Sequence, residues 1–186
     1  LAYLTAQLLR QGTTSRSAEA FAIELDTLGA TLAVNVTRDA GQIAAGCRVA
    51  EFESVLELMS DAVVNPLFSE EAFQGVRRQI AGQLGQQAQI PTSLADERAA
   101  VVVFGEHPYS HSLRGGIEPR LGTTRDHVRE FHRDRWRPDR AVLVIAGDLD
   151  AERAFAAAAE WFGRWSGRSA AEAVRPAPAP RKGVVL

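Results

Sequence analysis

Four imidazoles are the chain's most obvious chemical groups: His107, His111, His127 and His132. His107 and His111 are four apart, a spacing that would let them share a metal on one helix face. Pro108 between them and Gly105 just before predict a loop instead. His127 and His132 are five apart, about 140° around a helix, so they do not share a face; both read as surface or interface residues. Cys47 is the only cysteine, which excludes an internal disulfide and a cysteine zinc site. It lies in an alternating apolar run and reads as a small core residue. Asp148 follows Val144-Ile145-Ala146-Gly147 at a strand end, where an acid could act, but Leu149-Asp150 and a helix come next, the setting of a cap or turn. Asp39, near Gly41, is likewise a turn residue. Gly115-Gly116 lacks the Lys-Ser/Thr of a phosphate loop. No self-contained catalytic set emerges from these residues.

The 186 residues suffice for one domain with a substantial core. At 46% hydrophobic and 24% charged, with a net charge of −2, the composition is that of a globular protein without a basic face for nucleic acid. No stretch approaches the roughly 18 apolar residues of a membrane helix. No leader is visible, and Leu1 opens in what reads as mid-helix. The expectation is a piece truncated at both ends, with at least one further strand before residue 1. Compartment is left open, with bacterial cytoplasm and periplasm both in play.

The periodicity supplies the elements that must position any site. Leu1, Leu4, Leu8 and Leu9 predict a helix ending at Gly12. Ser17 caps a second, with Phe21, Ala22, Leu25 and Leu28 on one face, stopping at Gly29. Residues 30–38 and 42–49 alternate around Asp39-Ala40-Gly41 and predict an antiparallel hairpin. A helix over 51–64 buries Val55, Leu58, Met59 and Ala62 and ends at Asn65-Pro66. Long helices over 69–89 and from Pro91 to about Phe104 follow, then a loop over 105–122. Thr123 or Thr124 caps a helix to Trp136. A short strand over 141–146 precedes a helix over 150–165 with Phe155, Ala158 and Phe162 inward. Residues 166–181, rich in Pro and Ala, read as a linker; 182–186 read as the start of a strand leading to a following domain. The fold class expected is α+β, a mixed or antiparallel sheet packed against helices, with residues 1–165 as the domain.

The order of short motifs along the chain is informative. Gly12-Thr13, Arg16-Ser17-Ala18-Glu19, Leu28-Gly29-Ala30, Asn65-Pro66-Leu67-Phe68, His107-Pro108-Tyr109, Trp136-Arg137-Pro138, Ala146-Gly147-Asp148 and Trp161-Phe162-Gly163-Arg164-Trp165 succeed one another. Together they resemble the insulinase/pitrilysin family of inverted-motif zinc metallopeptidases, which includes mitochondrial processing peptidase. That resemblance implies a processing-peptidase-like fold over nearly the whole chain.

Active members of the family carry H-x-x-E-H on the first helix, two histidines on one face to hold zinc and a glutamate to take a proton from the metal-bound water. A second glutamate on a later helix completes the ligands. Aligned on Gly12-Thr13, the first histidine falls on Tyr3, the glutamate on Ala6 and the second histidine on Gln7; the later glutamate falls on Gln83. No catalytic residue and no metal ligand is therefore expected here. The resemblance implies the first domain of a metal-free half that pairs with a metal-bearing half or subunit, or with itself, zinc being expected in that partner. The edge strand that receives substrate in the active half corresponds to residues 31–37, making Val34, Asn35 and Val36 candidates for peptide contact. His107, Pro108 and Tyr109 are expected to shape their loop. Two other readings stay open: a structural scaffold subunit of a larger complex, and an active zinc peptidase whose ligands lie outside this chain. The high Arg and Ala content points to a bacterial source.

Overall fold

The computed structural model describes residues 1–115 and 122–167. In chain order these form α1 (Ala2–Leu8), α2 (Ala18–Thr27), β1 (Thr31–Val36), β2 (Gly41–Gly46), α3 (Phe52–Val64), α4 (Glu70–Gln87), α5 (Pro91–Phe104), α6 (Arg125–Arg135) and α7 (Ala151–Phe162). The class is α+β, helix-rich with a two-stranded antiparallel sheet.

Local chemistry sets the boundaries. Ser17, Ser69 and Asp150 accept backbone N–H bonds from Ala20, Ala72 and Arg153 and start α2, α4 and α7. Thr124 caps α6 with a reciprocal box, its hydroxyl taking the His127 N–H while His127 Nδ1 takes the Thr124 N–H. Gly75, Gly82 and Gly85 do not interrupt α4, whose buried stripe Phe73, Val76, Ile80 and Leu84 holds it on the core. Gly12 supplies a left-handed turn at φ +96° after α1. The segment it starts pairs with the end of α3: Thr14 N–H donates to Asn65 O at 2.9 Å, and Leu67 N–H to Gly12 O at 3.1 Å.

Two apolar clusters make the core. Leu4, Leu8 and Leu9 of α1 and its exit pack with Phe68, Phe73, Val76, Ile80 and Val128. Phe21, Leu25, Leu32, Leu56, Leu58, Met59, Ala62 and Ala157 form the other. Val34 touches both, so β1 is the joint between them.

Four expectations are corrected. Phe155 points outward, 77% exposed. Ala157, with Trp161 and Phe162, makes the inward face of α7 instead, because the small Ala157 lets the helix lie close against α3. Residues 141–146 have no ladder partner among the described residues, and Val142 and Val144 are 87% and 80% exposed. A strand is defined by its neighbour's hydrogen bonds, and apolar alternation alone does not supply one. Cys47 is exposed rather than in the core, because β2 is covered on neither face beyond Ile43. His132 is half-buried rather than at the surface, its ring packed against Phe68 and Trp136. The expected linker over 166–181 and strand over 182–186 lie outside the described residues apart from its first two positions, as does Gly116.

Candidate functional site

The candidate metal positions lie on two packed helices, α1 and α4. Tyr3 and Gln7, one turn apart on α1, are each half-buried, and Tyr3 rests against the first apolar cluster. Ala6 is 0% exposed, its methyl closed into the interior. On α4, Gln83 Oε1 is buried and has no hydrogen-bond partner among the described residues. Gln87, the next residue along that face, accepts a hydrogen bond of 3.1 Å from Arg114 Nη1. The same guanidinium lies 5.9 Å from the centre of the Tyr3 ring.

These donors do not fit zinc. A phenol and two amides are weak ligands near neutral pH, a methyl cannot act as base, and a guanidinium beside them opposes a second cation. Among the described residues no group of three or more His, Cys, Asp or Glu is placed to share a metal.

The other histidines have local work. His107 caps a short 3₁₀ turn over Pro108–Ser110, its Nδ1 accepting the Tyr109 N–H at 3.3 Å. His111 lies beyond that turn in extended backbone, so the two do not share a helix face. His127 completes the cap of α6. His132 Nε2 donates to Val63 O at 2.7 Å, with Phe68 edge-on at 5.3 Å and Trp136 stacked at 6.5 Å. Burial pushes this imidazole below its ordinary pKa, and the hydrogen bond to Val63 only partly offsets it.

The loop-shaping trio does more than shape a loop. Tyr109 packs edge-on against Phe104 and His107. Its hydroxyl donates to Asp39 in the hairpin turn. Arg38, beside Asp39, donates to the carbonyls of Tyr109 and, at 2.9 Å, His111. The hairpin tip is thereby fastened to the segment after α5.

The hairpin closes where Thr37 N–H meets Ala40 O at 2.8 Å, around Arg38-Asp39. Hydrogen-bonded pairs alternate from there, and the register sets Asn35 opposite Gln42 and Val34 opposite Ile43. Asn35 therefore bonds to β2, while Leu32, Val34 and Val36 turn their amides toward the outer edge of β1. Asn35 Oδ1 takes the Val36 N–H at 2.9 Å. The edge presents Leu32 and Val34 backbone, ending at an amide already engaged.

A charged hub escaped sequence reasoning. Arg16 pairs with Glu24 at 2.8 Å, Glu57 at 2.7 Å and Asp61 at 2.9 Å. Asp61 is buried and also accepts from the Thr13 and Ser15 hydroxyls, each at 2.6 Å, and from Asn65 at 3.2 Å. Burial pushes the Asp61 carboxyl up, but these hydrogen bonds outweigh it and hold it below its ordinary value. Arg16 stood among the quoted motifs. Two of its three partners, Glu57 and Asp61, are 41 and 45 residues away, and only the fold brings them together.

Comparison with known proteins follows the same outline. Residues 1–115 match Insulinase (Peptidase family M16), and residues 123–185 match the Peptidase M16 inactive domain. An uncharacterized zinc protease of Mycobacterium tuberculosis is 25% identical over 182 residues, covering 98% of this chain and 40% of the relative. Mitochondrial-processing peptidase subunit beta of Saccharomyces cerevisiae is 20% identical over 162 residues, 87% of this chain and 35% of that protein. A crystal structure of a peptidase M16 inactive domain from Pseudomonas fluorescens superimposes with TM-score 0.87 at 23% identity, over 96% of this chain and 44% of that one. The chain thus spans about two fifths of the relatives it matches. With the family match covering the helix of the degenerate motif, the hairpin and α4 in one span, the chain belongs to the insulinase family of peptidases, Peptidase family M16.

Proposed function

We propose that this chain is the first domain of a metal-free, non-catalytic half of an insulinase-type zinc peptidase. It pairs with a metal-bearing half and closes the peptide chamber around substrate. The observation that carries the reading is the chemistry at Tyr3, Ala6, Gln7 and Gln83, none of which suits zinc or a general base, with Arg114 alongside. Zinc is then the partner's ligand.

The outer edge of β1 is the surface for an extended peptide. Val34 contributes through its backbone, since its side chain packs into both apolar clusters. Asn35 and Val36 limit the added strand, because the Val36 amide is already engaged. Exposed Val142, Val144 and Phe155 offer apolar surface for assembly, and an obligate interface buries on the order of 2,000 Å² or more.

The test is zinc content and peptide cleavage of the full protein, alone and mixed with a metal-bearing relative from the same source. Absence of zinc alone, with cleavage arising only in the mixture, is expected. Stoichiometric zinc and cleavage by the protein alone would overturn the reading.

A further inference from the structure

We propose that the face made by Tyr3, Gln7, Gln83, Gln87 and Arg114 binds a carboxylate of an extended peptide, with Arg114 as its cation. The inference rests on the reading that this half holds no metal, and deepens it by assigning a ligand to the altered site.

Arg114 is exposed, yet its guanidinium is held at two points. Nη1 donates to Gln87 Oε1 at 3.1 Å, and the guanidinium carbon lies 5.9 Å from the Tyr3 ring centre. An exposed arginine loses considerable side-chain entropy on binding, and part of that loss is already incurred here. The fork has five N–H donors, and among the described residues no carboxylate pairs with it. Its two contacts, Gln87 and Tyr3, are neutral. Asp39, which reaches the same loop, is engaged by the Tyr109 hydroxyl, and Arg38 adds a second cation there.

The face also has unmet polar capacity. Gln83 Oε1 is buried without a partner. The oxygen is the buried end of this amide, which leaves the donor Nε2–H₂ as the end nearer the surface, where an anion on this face would meet it. The amide of Gln7, half-exposed on the adjoining helix, is a further donor. Planar guanidinium, amide donors and an aromatic floor suit a planar two-oxygen anion, which a guanidinium binds through parallel N–H···O bonds. α1 packs against β1 as well as α4, so a peptide lying along the β1 edge has this face within the same group of elements. A terminal carboxylate and an acidic side chain share the required chemistry.

The experiment uses the full chain and three peptides of one extended sequence otherwise free of acids. One has a free C-terminus, one is amidated with a central glutamate, and one is amidated with glutamine there. Binding is followed by fluorescence anisotropy at low and high salt. At least one acidic peptide should bind about tenfold or more tightly than the neutral one, the preference shrinking with salt. Which of the two does so identifies the source of the carboxylate. Arg114→Gln should abolish the preference; Arg114→Lys should keep part of it, since a point charge cannot make the bidentate contact. Equal affinities for all three peptides, or a preference that survives in Arg114→Gln, would overturn the proposal. Zinc assayed in the same samples separates the two readings: metal-free protein without a carboxylate preference sinks only this inference, whereas stoichiometric zinc removed with loss of peptide binding sinks the non-catalytic reading as well.

Discussion

Tyr109 donates its hydroxyl to Asp39 across 70 residues of sequence, and Arg38 returns the grip by binding the backbone of Tyr109 and His111. The turn of the hairpin and the segment after α5 are therefore one unit, although neither packs deeply in the core. Tyr109→Phe keeps the ring contacts with Phe104 and His107 and deletes only the tie to Asp39. Amide exchange at residues 38–41 should rise, while exchange in α3 and the global unfolding midpoint change little. Unaltered exchange at the turn would mean that Arg38 alone holds it.

The Arg16–Asp61 hub makes a larger prediction. Asp61→Ala leaves Arg16 short of one partner and strips Thr13, Ser15 and Asn65 of a shared acceptor. It should cost about 3–5 kcal/mol in denaturant unfolding. Arg16→Ala should cost less, because Asp61 keeps its neutral donors and because Glu24 and Glu57 are more open to solvent. The folded carboxyl lies below its ordinary value of 3.8. Its stabilisation is therefore complete above that value and lost as pH falls through the folded one. The acid limb of the stability curve should flatten in Asp61→Asn; an unchanged limb would place the acid sensitivity elsewhere.

His132 titrates in the opposite chemical sense but with the same pH direction. Its folded pKa lies below the ordinary 6.5, so the unfolded chain binds the proton more readily. Stability should fall as pH drops from 6.5 toward the folded value. An NMR titration should give a midpoint under 6.5, and His132→Phe should remove the slope in that window. A midpoint at or above 6.5 would show that the contacts with Phe68, Trp136 and Val63 O do not bury the ring as described.

Much of this was legible in residue order. The caps at Ser17 and Thr124, the presence of the hairpin and the inward stripe of α3 follow from local chemistry and period, and motif order carried the family; the hairpin turn, expected at Asp39-Ala40-Gly41, lies at Arg38-Asp39 instead, with Gly41 paired in β2. What failed shares one cause. Helical apolar spacing points Phe155 inward, and alternation does the same for Cys47 and residues 141–146, but either period records hydrophobicity and not whether a neighbour is present to cover it. Ala157, small and unremarkable in sequence, lies inward because α3 is close. The substitutions at Tyr3, Gln7 and Gln83 were visible as residue types, but Arg114 was not, since nothing in the spacing of a loop arginine announces that it reaches Tyr3 and Gln87. Asp61 escaped for the same reason: a buried acid is recognised by its donors, and three of these, Thr13, Ser15 and Arg16, lie 45 to 48 residues away.

The correspondence of Tyr3, Gln7 and Gln83 with ligand positions can be tested by reversing it. Histidines at 3 and 7 would stand one turn apart on α1 and share a face, and a glutamate at 83 would sit where an orphaned amide oxygen is already buried. The triple variant Tyr3→His, Gln7→His, Gln83→Glu should acquire one zinc site, measured by chelator competition. Ala6 is left alone because a charge at a fully buried position would confound the result through stability. Arg114 should oppose this metal, as two cations a few ångströms apart repel by several kcal/mol at intermediate dielectric (~4 kcal/mol at 4 Å). Adding Arg114→Ala should therefore tighten zinc about tenfold or more. If the triple variant binds no zinc even without Arg114, these three residues do not converge as ligands do, and the assignment of this half as one that lost its metal by substitution falls. If it binds zinc but Arg114→Ala makes no difference, the guanidinium does not occupy the metal's place, and its contact with Tyr3 serves packing alone.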